Sequence, residues 1–180
     1  ASTDGTRVLF MSTWGNYHQA VSTYELNAGQ QIEIVASGAV FLRKTGPNTV
    51  ALFASSSATT PIAGTQRSVL PLDTLVINAA EGSSLQLSVD FSAGSPVPVG
   101  SVLEVNGSNQ SSDQLQLLNS SAAWSWTLSG NGVGQARAHS IGLVRFKGIG
   151  SLVGGNSRDE FDVAANVTWQ GTLAGGAGND

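Results

Sequence analysis

The chain has 180 residues, a formal net charge of −4 and only eight lysine and arginine residues, which are scattered. Nucleic-acid binding needs a basic stripe that neutralises phosphates, so the sequence predicts no nucleic-acid partner. The absence of cysteine excludes disulfides and thiolate metal sites, and the lack of any long apolar run predicts no membrane span.

Charged residues make up only 11% of the chain, whereas soluble domains usually carry about a quarter. Serine, threonine, asparagine, glutamine and glycine take their place. Long surface helices usually carry lysine, glutamate and arginine on their wet face, so this composition disfavours them. It suits many short strands joined by turns and therefore predicts an all-β protein.

The first third of the chain contains separate strand signals without a common period. Short apolar or alternating segments predict strands at residues 7–11, 31–35, 38–42 and 49–54. Residues 55–64 have the composition of a loop. We therefore predict an N-terminal β cap or small β unit over residues 1–70.

From about residue 71 the alternation becomes regular. Leu85, Leu87, Val89 and Phe91 fall on one face of a predicted strand, and prolines interrupt the pattern after it. Further strands are predicted at residues 73–77, 102–105, 113–117, 124–128, 143–146, 150–153, 160–163 and 167–169. We interpret residues 71–180 as successive rungs of one repeating structure.

A glycine-rich turn recurs near the end of the chain. Residues 175–180 read Gly-Gly-x-Gly-x-Asp, and a related copy at residues 154–161 starts 21 residues earlier. Such spacing is typical of stacked β-coils, which must turn at the same place. A degenerate third copy is predicted at residues 108–115. Because the last copy stops where its strand should begin, we expect the sequence to be part of a longer chain.

Three passages carry a resemblance to a known group of proteins. Residues 87–100, 146–155 and 172–180 resemble the β-solenoid regions of large secreted bacterial surface proteins, the filamentous-haemagglutinin-like and RTX-like adhesins. The resemblance implies a parallel β-helix that serves as a rigid extracellular stalk or adhesive surface. The predicted fold is thus all-β, a parallel β-helix (β-solenoid) with an irregular N-terminal β cap. An antiparallel β-sandwich is the alternative.

The resemblance to RTX repeats also implies a candidate calcium site. Its ligands would be the carboxylates of Asp159 and Asp180 and carbonyls at Gly155 and Gly176, together with those of the preceding glycines. The upstream copy has Ser157 where a glycine is expected. The alternative is a purely structural turn in which aspartate acts as a local cap and no cofactor is bound.

Two further residue sets were weighed as catalytic groups. Glu160 and Asp162 would point outward together from one strand, which is more typical of a solvated face than of a paired-carboxylate glycosidase. A β-helical polysaccharide lyase would need clustered basic residues, and the available ones are sparse: Arg137, Arg145, Lys147 and Arg158. We therefore predict that the chain is not an enzyme.

Aromatic residues are the best candidates for ligand binding. Sugar rings stack on aromatic planes, which makes Trp14, Tyr17 and Trp169 candidate glycan-binding residues. Trp124 and Trp126 share one strand face and are expected in the core.

These observations lead to three ranked hypotheses. The first is a non-catalytic structural or adhesive protein, secreted or at the cell surface. It forms a surface stalk or a self-assembling filament and pairs with further repeats or, end to end, with copies of itself. The second is a carbohydrate-binding β module that recognises surface glycans. The third is a polysaccharide-active enzyme on a β-helix.

Overall fold

The protein is all-β in the computed structural model, which describes residues 29–180 together with two strands nearer the N-terminus, Arg7–Phe10 and Ser22–Glu25. Nothing in that described part is a helix long and apolar enough to cross a membrane. The predicted ligands Trp14 and Tyr17 lie outside the described residues.

Sixteen strands are described, β1 to β16 in chain order. After β1 (Arg7–Phe10) and β2 (Ser22–Glu25), they are β3 (Gln31–Ala36), β4 (Gly38–Gly46), β5 (Thr49–Phe53), β6 (Arg67–Ser68), β7 (Thr74–Ala79), β8 (Leu85–Asp90), β9 (Val102–Asn106), β10 (Gln114–Gln116), β11 (Trp124–Gly130), β12 (Val133–Arg137), β13 (Leu143–Lys147), β14 (Ser151–Val153), β15 (Asp159–Val163) and β16 (Thr172–Ala174).

Most strands belong to two open, seven-stranded mixed sheets. Sheet 1 has the order β16-β14-β10-β8-β4-β5-β6, and sheet 2 has the order β15-β11-β12-β13-β9-β7-β3. Strands β1 and β2 form a separate antiparallel pair.

The chain passes repeatedly from one sheet to the other. Strands β7 and β9 lie in sheet 2, while β8 and β10 lie in sheet 1, and the later strands β14, β15 and β16 continue the alternation. Strands that are neighbours within a sheet therefore come from successive passages, and they run parallel: β7 with β9, β8 with β10, β10 with β14 and β14 with β16.

Side-chain hydrogen bonds connect the passage through β7 and β8 with the passage through β9 and β10 at one common separation. Leu85 N donates to Asp113 Oδ1, Ser88 Oγ donates to Gln116 Oε1, and Asn106 Nδ2 donates to Asn78 Oδ1, and each pair is 28 residues apart. The passage through β7 and β8 is thus related to the passage through β9 and β10 by the same separation of 28 residues in both sheets.

The core lies between the two sheets and is filled by residues in register. In sheet 1 the inward positions on five parallel neighbours form one continuous row: Val40, Leu87, Leu115, Leu152 and Leu173. Burying an aliphatic side chain contributes about 2 kcal/mol before entropic costs, so this row stabilises the parallel register. The outward residues between them are polar, among them Gln86, Gln114 and Ser151.

Sheet 2 completes its inner face with aromatic rings. Trp126 stacks on Phe161 of the neighbouring strand with ring centroids 5.3 Å apart, and it also packs against Phe146 at 6.1 Å. Gly134 of β12 lies in register between Leu128 of β11 and Phe146 of β13. A Cβ on Gly134 would come within 2.7 Å of the Phe146 ring. Glycine is needed there because the ring occupies the space of its side chain.

Antiparallel segments make both sheets mixed. Strand β12 joins β11 to β13 within sheet 2, and β5 with β6 extends sheet 1 beyond β4. Strands β3 and β4, from the predicted N-terminal unit, pair in parallel with β7 and β8. Residues 29–70 therefore contribute to the same two sheets as the later residues.

Candidate functional site

The two glycine-rich turns lie on one another at the end of the sheets where β15 and β16 are outermost. Gly154 N donates to Ala174 O at 2.8 Å, and Ala177 N donates to Gly155 O at 2.9 Å. Asp159 N donates to Asp180 Oδ1 at 2.7 Å, across 21 residues. The copies predicted from the sequence therefore stack in register.

The close approach of the turns explains their glycines. Gly176 has a φ of 94°, in the left-handed region, and a Cβ there would come within 2.3 Å of Gly155 O. Any larger residue at this position would separate the two turns.

Asp159 is buried beneath this turn. Its Oδ2 accepts a hydrogen bond from Gly155 N at 2.8 Å, and its Oδ1 accepts one from Trp126 Nε1 at 3.3 Å. Burial raises the pKa of Asp159, the nearby Asp180 carboxylate raises it further, and the hydrogen bonds partly oppose that rise. The carboxylate thus caps the turn and fixes the indole of the core.

In the described structure, oxygens at this turn that could bind calcium accept hydrogen bonds from backbone N–H groups. Calcium requires six to eight oxygen ligands that converge on one point. Here backbone N–H groups point at the carboxylates of Asp159 and Asp180, and Gly155 O accepts from Ala177 N. Within residues 29–180, no three aspartate, glutamate or histidine side chains are grouped to hold a metal. The geometry favours the structural turn with aspartate as a cap.

The predicted third copy of the turn, residues 108–115, does not lie in this stack. It follows a strand of sheet 2, whereas the Gly154 and Gly175 turns follow strands of sheet 1. Its aspartate, Asp113, is fully buried and accepts hydrogen bonds from Ser108 N, Gln110 N and Leu85 N. The residue that lies against the Gly154 turn is Ser120, whose carbonyl accepts Asn156 N at 2.7 Å.

Strand β15 forms the edge of sheet 2 beside the turn stack. Its side chains alternate: Glu160 and Asp162 are exposed on the outer face, and Phe161 is half-buried on the inner face. Val163, also on the inner face, is 39% exposed. Arg158 lies 3.9 Å from Glu160, but both side chains are about 70% exposed, so this pair contributes little.

The basic residues singled out in the sequence gather on the same outer face. Arg145 and Lys147 project from β13, and Arg137 projects from the adjacent β12. Lys147 Nζ lies 4.0 Å from Glu104 Oε1 on β9. Glu160 lies farther along the face, separated from Arg137 by Ser125 of β11. The set is spread over an exposed sheet surface.

The candidate tryptophans differ in their surroundings. Trp124 and Trp126 are buried in the core, as the alternation predicts. Trp169 is half-buried and packs edge-on against Phe146 with centroids 6.4 Å apart. Its Nε1 is buried and has no hydrogen-bond partner among the described residues. Only part of its indole therefore remains available to a ligand.

A buried ion pair was missed in the sequence. Arg43 of β4 and Asp90 of β8 lie in register, with Nε and Oδ2 2.9 Å apart, and the guanidinium lies 4.6 Å from the centre of the Phe53 ring. Burial acts to raise the pKa of Asp90, but hydrogen bonds from Asn119, Ser92 and Arg43 outweigh it and lower the pKa below 3.8. The partners are 47 residues apart, so no local pattern could have linked them.

Comparison with known proteins places the chain in no family. No family model, curated protein or solved structure matches it. The observations that bear on function are therefore the fold and the end of the sheets where β15 and β16 are outermost.

Proposed function

We propose that the chain is a segment of a parallel β-solenoid that serves as a non-catalytic structural stalk or adhesive scaffold of a secreted or cell-surface protein. The observation that carries this proposal is the register of successive passages. Residues 28 apart are joined by hydrogen bonds in both sheets, and the two glycine turns stack in register. A stack of this kind is extended by adding coils, which is the property a stalk needs.

The inner and outer faces both support this role. Apolar residues in register form continuous rows between the sheets. The inward side chains of each coil therefore pack against those of the neighbouring coil. On the outer face of sheet 1, Gln86, Gln114 and Ser151 succeed one another in register. Uncharged polar side chains can stack without the like-charge repulsion that lysine or glutamate would cause. The need to stack side chains without repulsion then accounts for the low charge content of the chain.

The extracellular location is inferred from the sequence. It rests on the resemblance of residues 87–100, 146–155 and 172–180 to bacterial surface adhesins. The polar, weakly charged surface is compatible with a chain that acts through its length and its edges.

Insertion of one additional coil tests the proposal. A second copy of residues 74–101 would be placed between Ser101 and Val102, at the boundary set by the register of β7 with β9. A solenoid should accept it, gain one strand in each sheet and lengthen by about 4.8 Å. Circular dichroism, thermal unfolding and small-angle X-ray scattering would measure the strand content, the stability and the length.

The control is an insertion of the same 28 residues in scrambled order. We expect the repeated coil to preserve the unfolding temperature and the scrambled one to lower it. Equal loss of structure in both variants would contradict the solenoid and, with it, the stalk function.

A further inference from the structure

Two acidic residues that point away from the core lie in register with an arginine on a parallel neighbouring strand. Asp90 lies in register with Arg43 in sheet 1, and Glu104 lies in register with Arg145 in sheet 2. Lys147 adds a second cation near Glu104, with Nζ 4.0 Å from the carboxylate. At these two positions, the buried Asp90 and the half-buried Glu104, a basic residue on a parallel strand compensates the carboxylate.

Strand β15 lacks this compensation. Its outward residues Glu160 and Asp162 lie in register with Ser125 and Thr127 on β11. On its other side, β15 pairs with no strand of residues 29–180 and with neither of the two described N-terminal strands. Both carboxylates are exposed, and the only ion pair that either makes in this part of the chain is the weak one between Glu160 and Arg158.

The inner face of β15 is also incomplete. Phe161 is stacked on Trp126 on one side and remains half-exposed, and Val163 is 39% exposed. An unpaired strand with apolar residues on one face is a site for strand addition. A second copy of β15 is a poor partner, because Glu160 and Asp162 would face carboxylates on the added strand.

We propose that the free edge of β15 binds a parallel strand with apolar side chains on its inner face and lysine or arginine opposite Glu160 and Asp162. The inference deepens the proposed function and rests on it, because it specifies the coil that can follow at this end.

The chain contains a strand of this type, which defines the chemistry of the partner. In β13, Val144 and Phe146 point inward, while Arg145 and Lys147 point outward two residues apart. The strand pairs in parallel with β9, where Arg145 lies opposite Glu104. The spacing of its two cations equals the spacing of Glu160 and Asp162.

A peptide with the sequence of residues 141–149 is the probe. It would be titrated into the ¹⁵N-labelled full chain, beside a charge-reversed peptide with glutamate in place of Arg145 and Lys147. We expect the basic peptide to shift the amide resonances of residues 159–163 and to bind at least about tenfold more tightly than the acidic one. High salt should reduce the difference, because the contacts are exposed.

Charge reversal in the protein provides the matched test. The variant Glu160→Lys/Asp162→Lys should prefer the acidic peptide. The control variant Gln86→Lys/Gln114→Lys places the same charges on the outer face of sheet 1, away from the edge, and should keep the preference for the basic peptide.

A tethered version removes dependence on weak peptide affinity. Each nine-residue strand would be fused after Asp180 through a flexible linker, which raises its effective concentration to the millimolar range. The basic extension should raise the unfolding temperature more than the acidic one. Equal effects of the two extensions, or no selectivity of the peptides, would overturn the inference. If the inserted coil of residues 74–101 is nevertheless accepted, the proposed function stands and only the edge specificity fails.

Discussion

Buried aspartates connect successive passages of the chain through single hydrogen bonds. One oxygen of Asp73 accepts Leu70 N of its own turn and the other accepts Gln30 N of the preceding passage. Asp113 makes the same two kinds of contact with Gln110 N and Leu85 N. A backbone N–H at the start of a strand would otherwise be buried without a partner, which costs about 1–3 kcal/mol.

Replacing Asp113 with alanine should therefore be strongly destabilising. The substitution leaves the buried Leu85 N and the partly buried Ser108 N and Gln110 N without the carboxylate of the fully buried Asp113. We expect a loss of about 3 kcal/mol or more in the free energy of unfolding, measured by urea denaturation.

Asp162→Ala is the matched control. Asp162 is exposed on the outer face of β15, so its removal should change the free energy of unfolding by no more than about 0.5 kcal/mol. Similar losses for Asp113→Ala and Asp162→Ala would contradict the role of the buried carboxylate.

Because of the ion pair between Arg43 and Asp90, the free energy of unfolding should depend on pH in the acidic range. The pKa of Asp90 is lowered in the folded state, so its contribution is present above about 3.8 and is lost as the pH falls through the lower folded value. The raised pKa of Asp159 acts in the opposite sense, since its contribution is complete below 3.8 and is lost as the pH rises through the folded value.

Comparison with Asp90→Asn isolates the contribution of this carboxylate. At neutral pH the variant should be about 3 kcal/mol less stable, because Arg43 loses its buried partner. The difference in unfolding temperature should shrink as the pH falls from 3.8 through the lower folded pKa, because the carboxyl is protonated first in the unfolded state and then in the folded state. A difference that stays constant from pH 7 to pH 2 would show that the pair does not stabilise the fold through its charge.

At the scale of strands, glycine positions decide which segments can pair. A Cβ on Gly134 would come within 2.4 Å of Thr127 O and 2.7 Å of the Phe146 ring. Gly134→Ala should therefore force β12 away from β11 and β13, with a cost of about 1–3 kcal/mol. Gly46→Ala, where nothing lies closer than 3.4 Å, should cost less in the same denaturation experiment. A larger loss in the free energy of unfolding for Gly46→Ala than for Gly134→Ala would contradict the packing constraint at Gly134.

Strands with a clear alternation could be predicted from the sequence alone. Leu85, Leu87 and Val89 are buried on one face of β8, and Trp124 and Trp126 are buried on one face of β11. The outward positions of Glu160 and Asp162 also follow from alternation, because residues of a strand point to opposite faces in turn.

Strand β12 could not be predicted, because its sequence contains little to bury. Of its five residues only Ala136 is buried, and Gly134 yields its space to Phe146. The strand is held by its pairing with β11 on one side and β13 on the other. The all-β class was confirmed, but which strands are parallel neighbours depends on contacts 21 to 47 residues apart, which a local pattern does not contain.

At the scale of the whole molecule, the two sheets have interior and edge strands of different exposure. Strands β8, β9 and β10 have paired neighbours on both sides, and their inward residues are almost completely buried. Strands β15 and β16 are outermost, and the side chains of Phe161 and Leu173 remain half-exposed. In a stack where each coil contacts only its neighbours, stability should decrease toward this end.

Hydrogen exchange measured by mass spectrometry would resolve this gradient. Amides of residues 85–90 and 102–106 should exchange most slowly, because their opening requires disruption of several neighbouring strands. Amides of residues 159–163 and 172–174 should exchange faster, because each outermost strand has a partner on one side only. The basic strand extension fused after Asp180 should slow exchange in residues 159–163 and leave the central strands unchanged. Uniform protection of all these segments would instead indicate a single cooperative unit, and it would contradict the nearest-neighbour stack on which a stalk of variable length depends.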